Sequence, residues 1–367
     1  MFAENNRLSI PQVKRMFLIE VFSTFSLTMP AIVTREAGYY GIYPLLIGSL
    51  LAGVYLLFLL VVGKKVGGNY GDYLREQFGK GIQTVMILLY LLRFLIKSAY
   101  TALIFITLIQ MNLLKGQGKI QILLPFLLLC GFVAYEGMET RGRILELLAF
   151  FIFVPLLVTV FLSLTEVSMV EWLPKGTFSW EKIVRTSGFV FLTYSPMEFV
   201  LFYGGNVSMS EEMKKQGNQV GRAVGKGYAL AVVFHVVLFL TTIGLFGVQM
   251  TKDSMFPAFA IMETAKLPAD FISRLDILLI AFWVFSMFGV MSGYSTYGMW
   301  LVKDMVKGKK KGIILTVFLL LSGGLTLLFG NLATATDWFF RYLMWIDVPI
   351  GVFIPLLVLL KKKRRRI

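Results

Sequence analysis

Tyr90, Arg93, Lys97 and Tyr100, with Thr101 beside the last, recur at spacings of three and four inside a long apolar run. On a helix this spacing draws one continuous polar stripe. A charge at mid-bilayer costs about 2.5 kcal/mol or more, so such a stripe faces a partner or a cavity. Two cations need counter-charge, and Glu198, in the middle of a later apolar run, is the acid best placed to pair with Arg93 or Lys97. The alternative is snorkelling of both cations toward the nearer surface, with Glu198 satisfied by hydroxyls. Arg93 lies only about 12 Å from the start of its run, at 1.5 Å per residue. Asp347 is also deep in an apolar run and requires a partner that the sequence does not name.

Two runs combine hydroxyls with a central proline: Ser23, Thr24, Ser26, Thr28 and Pro30 in the first, and Thr193, Tyr194, Ser195, Pro196 and Glu198 in the sixth. Proline removes a helical hydrogen bond and clashes with the preceding turn. Either the chain unwinds there, lining a cavity, or it kinks and the hydroxyls cap the freed carbonyls. Ser286, in the eighth run, lines the same region or bonds its own helix. His235, the single histidine, reads as a packed neutral imidazole in preference to a proton relay. One cysteine, Cys130, excludes an internal disulfide, and the enzyme signatures H-E-x-x-H, G-x-S-x-G and the Walker loop are missing. No enzyme activity, metal or cofactor is expected.

The elements that position these groups are membrane helices. The 367 residues are 57% hydrophobic and 16% charged, against about 25% charged in soluble domains. Apolar runs long enough to cross a bilayer fall at about 16–33, 43–62, 85–113, 120–135, 145–164, 188–203, 228–250, 272–301, 313–329 and 342–360. The expectation is one all-α polytopic membrane domain over 1–367 with ten transmembrane helices. Of the lysines and arginines between runs, 24 fall on one side, including Arg141 and the basic tail 361–367, and 10 on the other. Cationic loops stay cytoplasmic, so both termini are expected inside, with the tail free to touch anionic lipid. The net charge of +15 is therefore topology, not a nucleic-acid surface. The first run lacks a cleavage site and is expected to remain. The polar segment 67–81 reads as a short amphipathic piece at the cytoplasmic surface or as a plain loop.

Ten spans divide into halves of five, at about 8–164 and 183–360, and an odd number of spans inverts the second half. The first and sixth runs then occupy equivalent positions, and interrupted helices at such positions mark a transporter-type site at the midplane. Half-helix ends there suit a carboxylate and freed carbonyls an ammonium or cation, so a zwitterionic amino acid satisfies both.

This arrangement resembles the leucine-transporter-type fold of the amino acid, polyamine and organocation transporters, a 5+5 inverted repeat with interrupted first and sixth helices. More narrowly, the strings LSIPQVKRMFLIEVFSTFSLTMP, YEGMETRGRILELLAFFIFVPLL, YSPMEF and SRLDILLIAFWVFSMF resemble the spore-germination permeases, the B subunits of nutrient germinant receptors. The resemblance implies a spore inner-membrane protein that senses a small nutrient, commonly an amino acid, beside an A subunit and a lipoprotein C subunit. It implies ligand-binding residues Ser23, Thr24, Phe25, Ser26 and Leu27 in the first span and Tyr100 in the third. In the sixth and eighth it implies Tyr194, Ser195, Pro196, Met197, Glu198 and Ser286. Where family members commonly carry a glycine at the first break, this chain has Ser23-Thr24-Phe25-Ser26. The competing function is a secondary transporter of an amino acid or organic cation, driven by protons through Glu198 and Lys97. A passive conduit is disfavoured because nothing resembles a filter or a charged ring.

Overall fold

The computed structural model describes residues 8–23, 25–203, 207, 218–264, 275–305 and 310–361. Thr24, residues 362–367 of the basic tail, and the loop cations Arg7, Lys214, Lys215, Lys266, Arg274, Lys307 and Lys309 lie outside the described residues. The described chain is helical, with α1 (Ile10–Phe22), α2 (Met29–Ala37), α3 (Ile42–Val66), α4 (Tyr70–Asn112), α5 (Lys119–Glu136), α6 (Met138–Ser163) and α7 (Trp180–Thr193). There follow α8 (Gln219–Asp253), α9 (Pro257–Thr264), α10 (Leu275–Met305), α11 (Lys311–Leu328), α12 (Leu332–Tyr342) and α13 (Val348–Leu360). Among the described residues, seven stretches are long and apolar enough to cross a membrane: α3, α4, α5, α6, α8, α11 and the continuous stretch Leu332–Leu360.

Exposed apolar stripes show where lipid lies. Leu50, Val54, Leu57 and Val61 on α3, and Leu124, Leu128 and Phe132 on α5, face outward at helical spacing. In water such surface would be an aggregation site, whereas hydrocarbon solvates it. The chain is an integral membrane protein. α10 sits at the opposite extreme, packed against α1, α4, α5, α6 and α11, with Trp283, Ser286, Met287 and Tyr297 fully enclosed. A helix buried on every side over residues 286–299 is the axle on which the others are arranged.

Local chemistry accounts for the ends and breaks. Ser9 and Gln12 form a reciprocal capping box at the start of α1, and Pro11 occupies the first turn, where its missing N–H costs nothing. The polar segment after α3 forms the first turns of α4, capped by the Asn69 side chain on Asp72 N at 2.9 Å. It turns at Gly79 (φ 81°) into the long membrane helix, and its buried Tyr70, Tyr73, Leu74 and Gln77 seat it against the bundle.

Several boundaries differ from the sequence reading, and three of them bear on the buried charges and the breaks. The fifth run starts at Met138, not Leu145, which takes Arg141 out of the loop expected to be cytoplasmic and buries it completely; its charge is a packing group, not an orientation signal. The sixth begins at Trp180, and the last at Leu332, absorbing Asp337 and Arg341 into helix. Polar residues in the first turns made these runs read short, but helix boundaries follow hydrogen bonding and not hydropathy.

α3 and α7 approach closely at Gly48. A Cβ there would lie 2.6 Å from the Ser187 carbonyl oxygen and 2.6 Å from Val190 Cβ, so only glycine allows this backbone contact. Gly48→Val is expected to destabilise the protein by about 1–3 kcal/mol through overpacking, lowering the thermal midpoint in detergent. Gly63→Ala on the same helix, with nothing within 4 Å, is the control that leaves it unchanged.

Candidate functional site

Arg93 and Lys97 lie one turn apart on α4 and point inward. Both are buried, with at most 2% of each exposed, as are Glu198 and Asp347. Arg93 Nε donates to Asp347 Oδ1 at 2.8 Å, and its Nη2 lies 2.7 Å from Glu198 Oε2. Lys97 Nζ reaches Glu198 Oε1 at 2.5 Å and Asp347 Oδ2 at 3.0 Å. Each cation thus contacts both carboxylates, giving a closed, neutral quartet. Neither cation snorkels. The second carboxylate, whose partner the sequence left unnamed, is delivered by a widened helical turn over Leu343–Asp347. That turn precedes Pro349, which has no N–H to return to the Trp345 carbonyl.

Glu198 arrives on a different irregularity. α7 stops at Thr193, and Ser195–Phe202 continues as a 3-10 helix of eight residues, although such runs rarely exceed about four. Pro196 cannot donate to the Leu192 carbonyl, Thr193 Oγ1 donates to Val190 O at 2.6 Å, and Met197 N donates to Tyr194 O at 3.0 Å. The first run breaks similarly between Phe22 and Met29. Ser23 Oγ donates to Ile19 O and Ser26 Oγ to Ser23 O at 3.2 Å, so hydroxyls occupy carbonyls there. The chain both unwinds and is capped, combining the two readings of the sequence.

His235 of α8 links the breaks. Its ring stacks on Phe22, the last residue of α1, with centroids 5.4 Å apart. Its Nδ1 lies 3.0 Å from the hydroxyl of Tyr194, the first residue after α7, which also meets Ser49 Oγ at 2.9 Å. Phe25 in the first break packs on Tyr100, Phe339 and Phe340, and Tyr100 bonds Thr336 Oγ1 at 2.9 Å. Leu27, Tyr194, Pro196 and Met197 are buried. Ser286 turns back on its own helix, donating to Trp283 O at 3.3 Å. Beside the second break, a cavity of about 20 Å³ is lined by Tyr55, Arg93, Tyr194, Ser195, Met197 and Asp347; that is room for about one water, not an amino acid. Among the described residues, the buried Arg93 Nη1 has no hydrogen-bond partner, whereas Glu198 Oε2 has its ion pair with Arg93 Nη2.

A second buried pair escaped the sequence reading. Arg141 Nη2 meets Glu20 Oε1 at 2.6 Å and Gly289 O at 2.8 Å, its Nε donates to Ser292 Oγ at 3.1 Å, and its Nη1 to the Tyr297 hydroxyl at 3.1 Å. The Tyr203 hydroxyl donates to Glu20 Oε2. The available signal was Glu20 itself, an acid four residues inside the first apolar run.

A family model described as "Spore germination protein" matches residues 7–338. Spore germination protein GerLB of Bacillus cereus is 24% identical over 183 residues, 50% of this chain and 46% of that protein, so the match spans less than half of its length. Spore germination protein A2 of Bacillus subtilis (strain 168) is 20% identical over 265 residues, 71% of this chain and 70% of that protein. Among solved structures, Mhp1, a nucleobase-cation-symport-1 family transporter closed around bromovinylhydantoin, superposes with a TM-score of 0.72 at 14% identity, over 98% of this chain and 80% of its own. A Na+-coupled sialic acid symporter in an outward-open state gives 0.69 at 13%, over 98% and 81%. The fold is that of these leucine-transporter-type symporters.

If the quartet acts as one unit, removing one member leaves a buried charge unmatched, at a cost of about 3–5 kcal/mol. Glu198→Gln and Asp347→Asn are each expected to lower the thermal midpoint sharply. Lys97→Met combined with Glu198→Leu, which keeps neutrality, should lose much less than the two single changes added together. Additive losses in that double-mutant cycle would refute the unit.

Proposed function

The chain belongs to the spore germination protein family, and from that premise we propose that it is the membrane-embedded B subunit of a germinant receptor. It binds a small nutrient, an amino acid, at the bilayer midplane and passes the binding event to its A and lipoprotein C partners. The observation that carries this reading is the meeting of two broken helices around His235, because non-helical backbone at membrane depth persists where it is buried or lines a site. The topology that goes with it is a single domain of ten spans. These are the seven continuous stretches, α10, and the two broken runs α1/α2 and α7 with its 3-10 extension. They form a 5+5 inverted repeat over about 8–164 and 183–360. Both termini are cytoplasmic, and the membrane is the spore inner membrane or the bacterial cell membrane.

The ligand contacts are Ser23 to Leu27, Tyr100, Tyr194 to Glu198 and Ser286. With only about 20 Å³ beside the break, the described conformation is closed, and a ligand that prefers an opened state shifts the population toward it. Signalling then requires no net transport. The competing reading, proton-coupled uptake through Lys97 and Glu198, draws support from the symporter fold and from the buried contact between Lys97 Nζ and Glu198 Oε1.

In a thermal-shift panel of amino acids, nucleosides and sugars on purified protein, one amino acid is expected to raise the midpoint stereospecifically. At 100 times its Kd it stabilises by about 2.7 kcal/mol. The same compound offered to proteoliposomes separates the readings: binding without accumulation supports the receptor, and accumulation driven by a proton gradient supports the transporter. No shift from any compound, alone or with co-expressed partner subunits, would refute a midplane site.

A further inference from the structure

The end of the bundle where α2 finishes carries a second, chemically different cavity. It measures about 200 Å³ and lies between the C-terminal end of α2, the segment entering α7 and the end of α8. Arg35, Lys175, Lys182 and Lys252, from three segments far apart in sequence, converge on it, with Glu36 as the one acid in its lining. Like charges gathered around one cavity repel one another. Folding tolerates that where an anion completes the group.

The individual side chains bear this out. Arg35 Nη2 donates to the Lys252 carbonyl at 3.1 Å, which fixes the guanidinium at the cavity while leaving most of its donors open. Lys175 rests over the Tyr39 ring at 5.3 Å and stands 3.8 Å from Glu171. The ammonium groups of Lys182 and Lys252 form no ion pair among the described residues. The start of α7, capped by Ser179 on Lys182 N, adds the positive end of a 14-residue helix to the same space. Thr177 and Ser179 supply hydroxyls alongside. Cations set around a polar cavity suit a small water-soluble anion that presents charge at more than one end.

The geometry points to a binding site for a small carboxylate anion in this cavity, separate from the midplane breaks and independent of how they are read. The Arg35 fork takes a carboxylate in the plane of its donors, and Lys182 and Lys252 neutralise the remaining charge.

The test uses the full chain in zwitterionic nanodiscs at fixed ionic strength, with succinate as probe and succinamide as its uncharged control. Succinate is expected to raise the thermal midpoint saturably and succinamide to leave it unchanged. Lys182→Gln or Lys252→Gln alone should raise the half-saturating concentration about tenfold, the loss of one charge-assisted contact, and the double change should abolish the shift. Without succinate the double variant should melt at or above the wild-type midpoint, because repulsion has been removed. No succinate shift, an equal shift with succinamide, or a shift that survives the double change would overturn the site. So would a double variant less stable than wild type without succinate, since the lysines would then be structural props. A midpoint that follows phosphatidylglycerol content and ignores succinate would assign the cations to lipid headgroups and overturn it equally.

Discussion

No charge inside hydrocarbon can be left to solvent, and the centre of this protein is organised by that constraint. Arg93 and Lys97, on one face of α4, would each be prohibitive in a bilayer alone. The fold answers by bringing a carboxylate from the 3-10 segment after α7 and another from the widened turn before α13, so that each cation touches both acids. Neutrality is a property of the four together. Their positions on three separate elements mean that the bundle has to be assembled before any of them is satisfied, which couples local backbone irregularity to global packing. The irregularities serve the charges: a regular helix through Asp347 or Glu198 would rotate each carboxylate along a different line of approach.

The same logic runs through the second network. Glu20 and Arg141 are wholly buried, and Tyr203, Tyr297, Ser292 and the Gly289 carbonyl fill the remaining donor and acceptor positions around them. A buried pair gains from such saturation, because its desolvation is offset only when every lone pair and proton is used. Here α1, α6 and α10 meet through one guanidinium.

Much of this architecture was legible in the chain. Unbroken apolar runs mark the helices because hydrocarbon demands them, and prolines 30 and 196 amid hydroxyls mark the breaks because a missing N–H cannot be replaced by lipid. Lys97 and Glu198 stood out as charges with no solvent within reach. Asp347 stood out too, but its partner depends on which helices are neighbours, and periodicity carries no information on that; two buried cations against one acid was the hint of a second. Arg141 was hidden for another reason. Glu139, Arg141 and Arg143 made the first turns of α6 look like a loop, since hydropathy averages over a turn whereas burial is decided residue by residue. Thr24, expected in the ligand site, lies outside the described residues. The roles of Ser23 and Ser286 could not be separated by type alone: each hydroxyl turns to a carbonyl of its own helix.

The two networks also divide the broken helices into unequal halves. α1 is held through Glu20 to α6 and α10, and the 3-10 segment is held through Glu198 to α4, so displacing either pulls a salt bridge apart in low dielectric, where separation is most expensive. α2 and α7 carry no ion pair to the rest of the bundle among the described residues. Beside apolar packing they are attached by the Arg35 bond to a carbonyl and, just after α7, by the Tyr194 hydroxyl on His235 and Ser49, hydrogen bonds that can be exchanged for water or ligand at modest cost. Opening around the breaks is therefore easier toward the end where α2 finishes, with α2 and α7 moving against a core that the buried charges keep in place. A ligand entering from that end would first meet the cationic cavity at Arg35, Lys182 and Lys252, then the joint between Phe22, His235 and Tyr194.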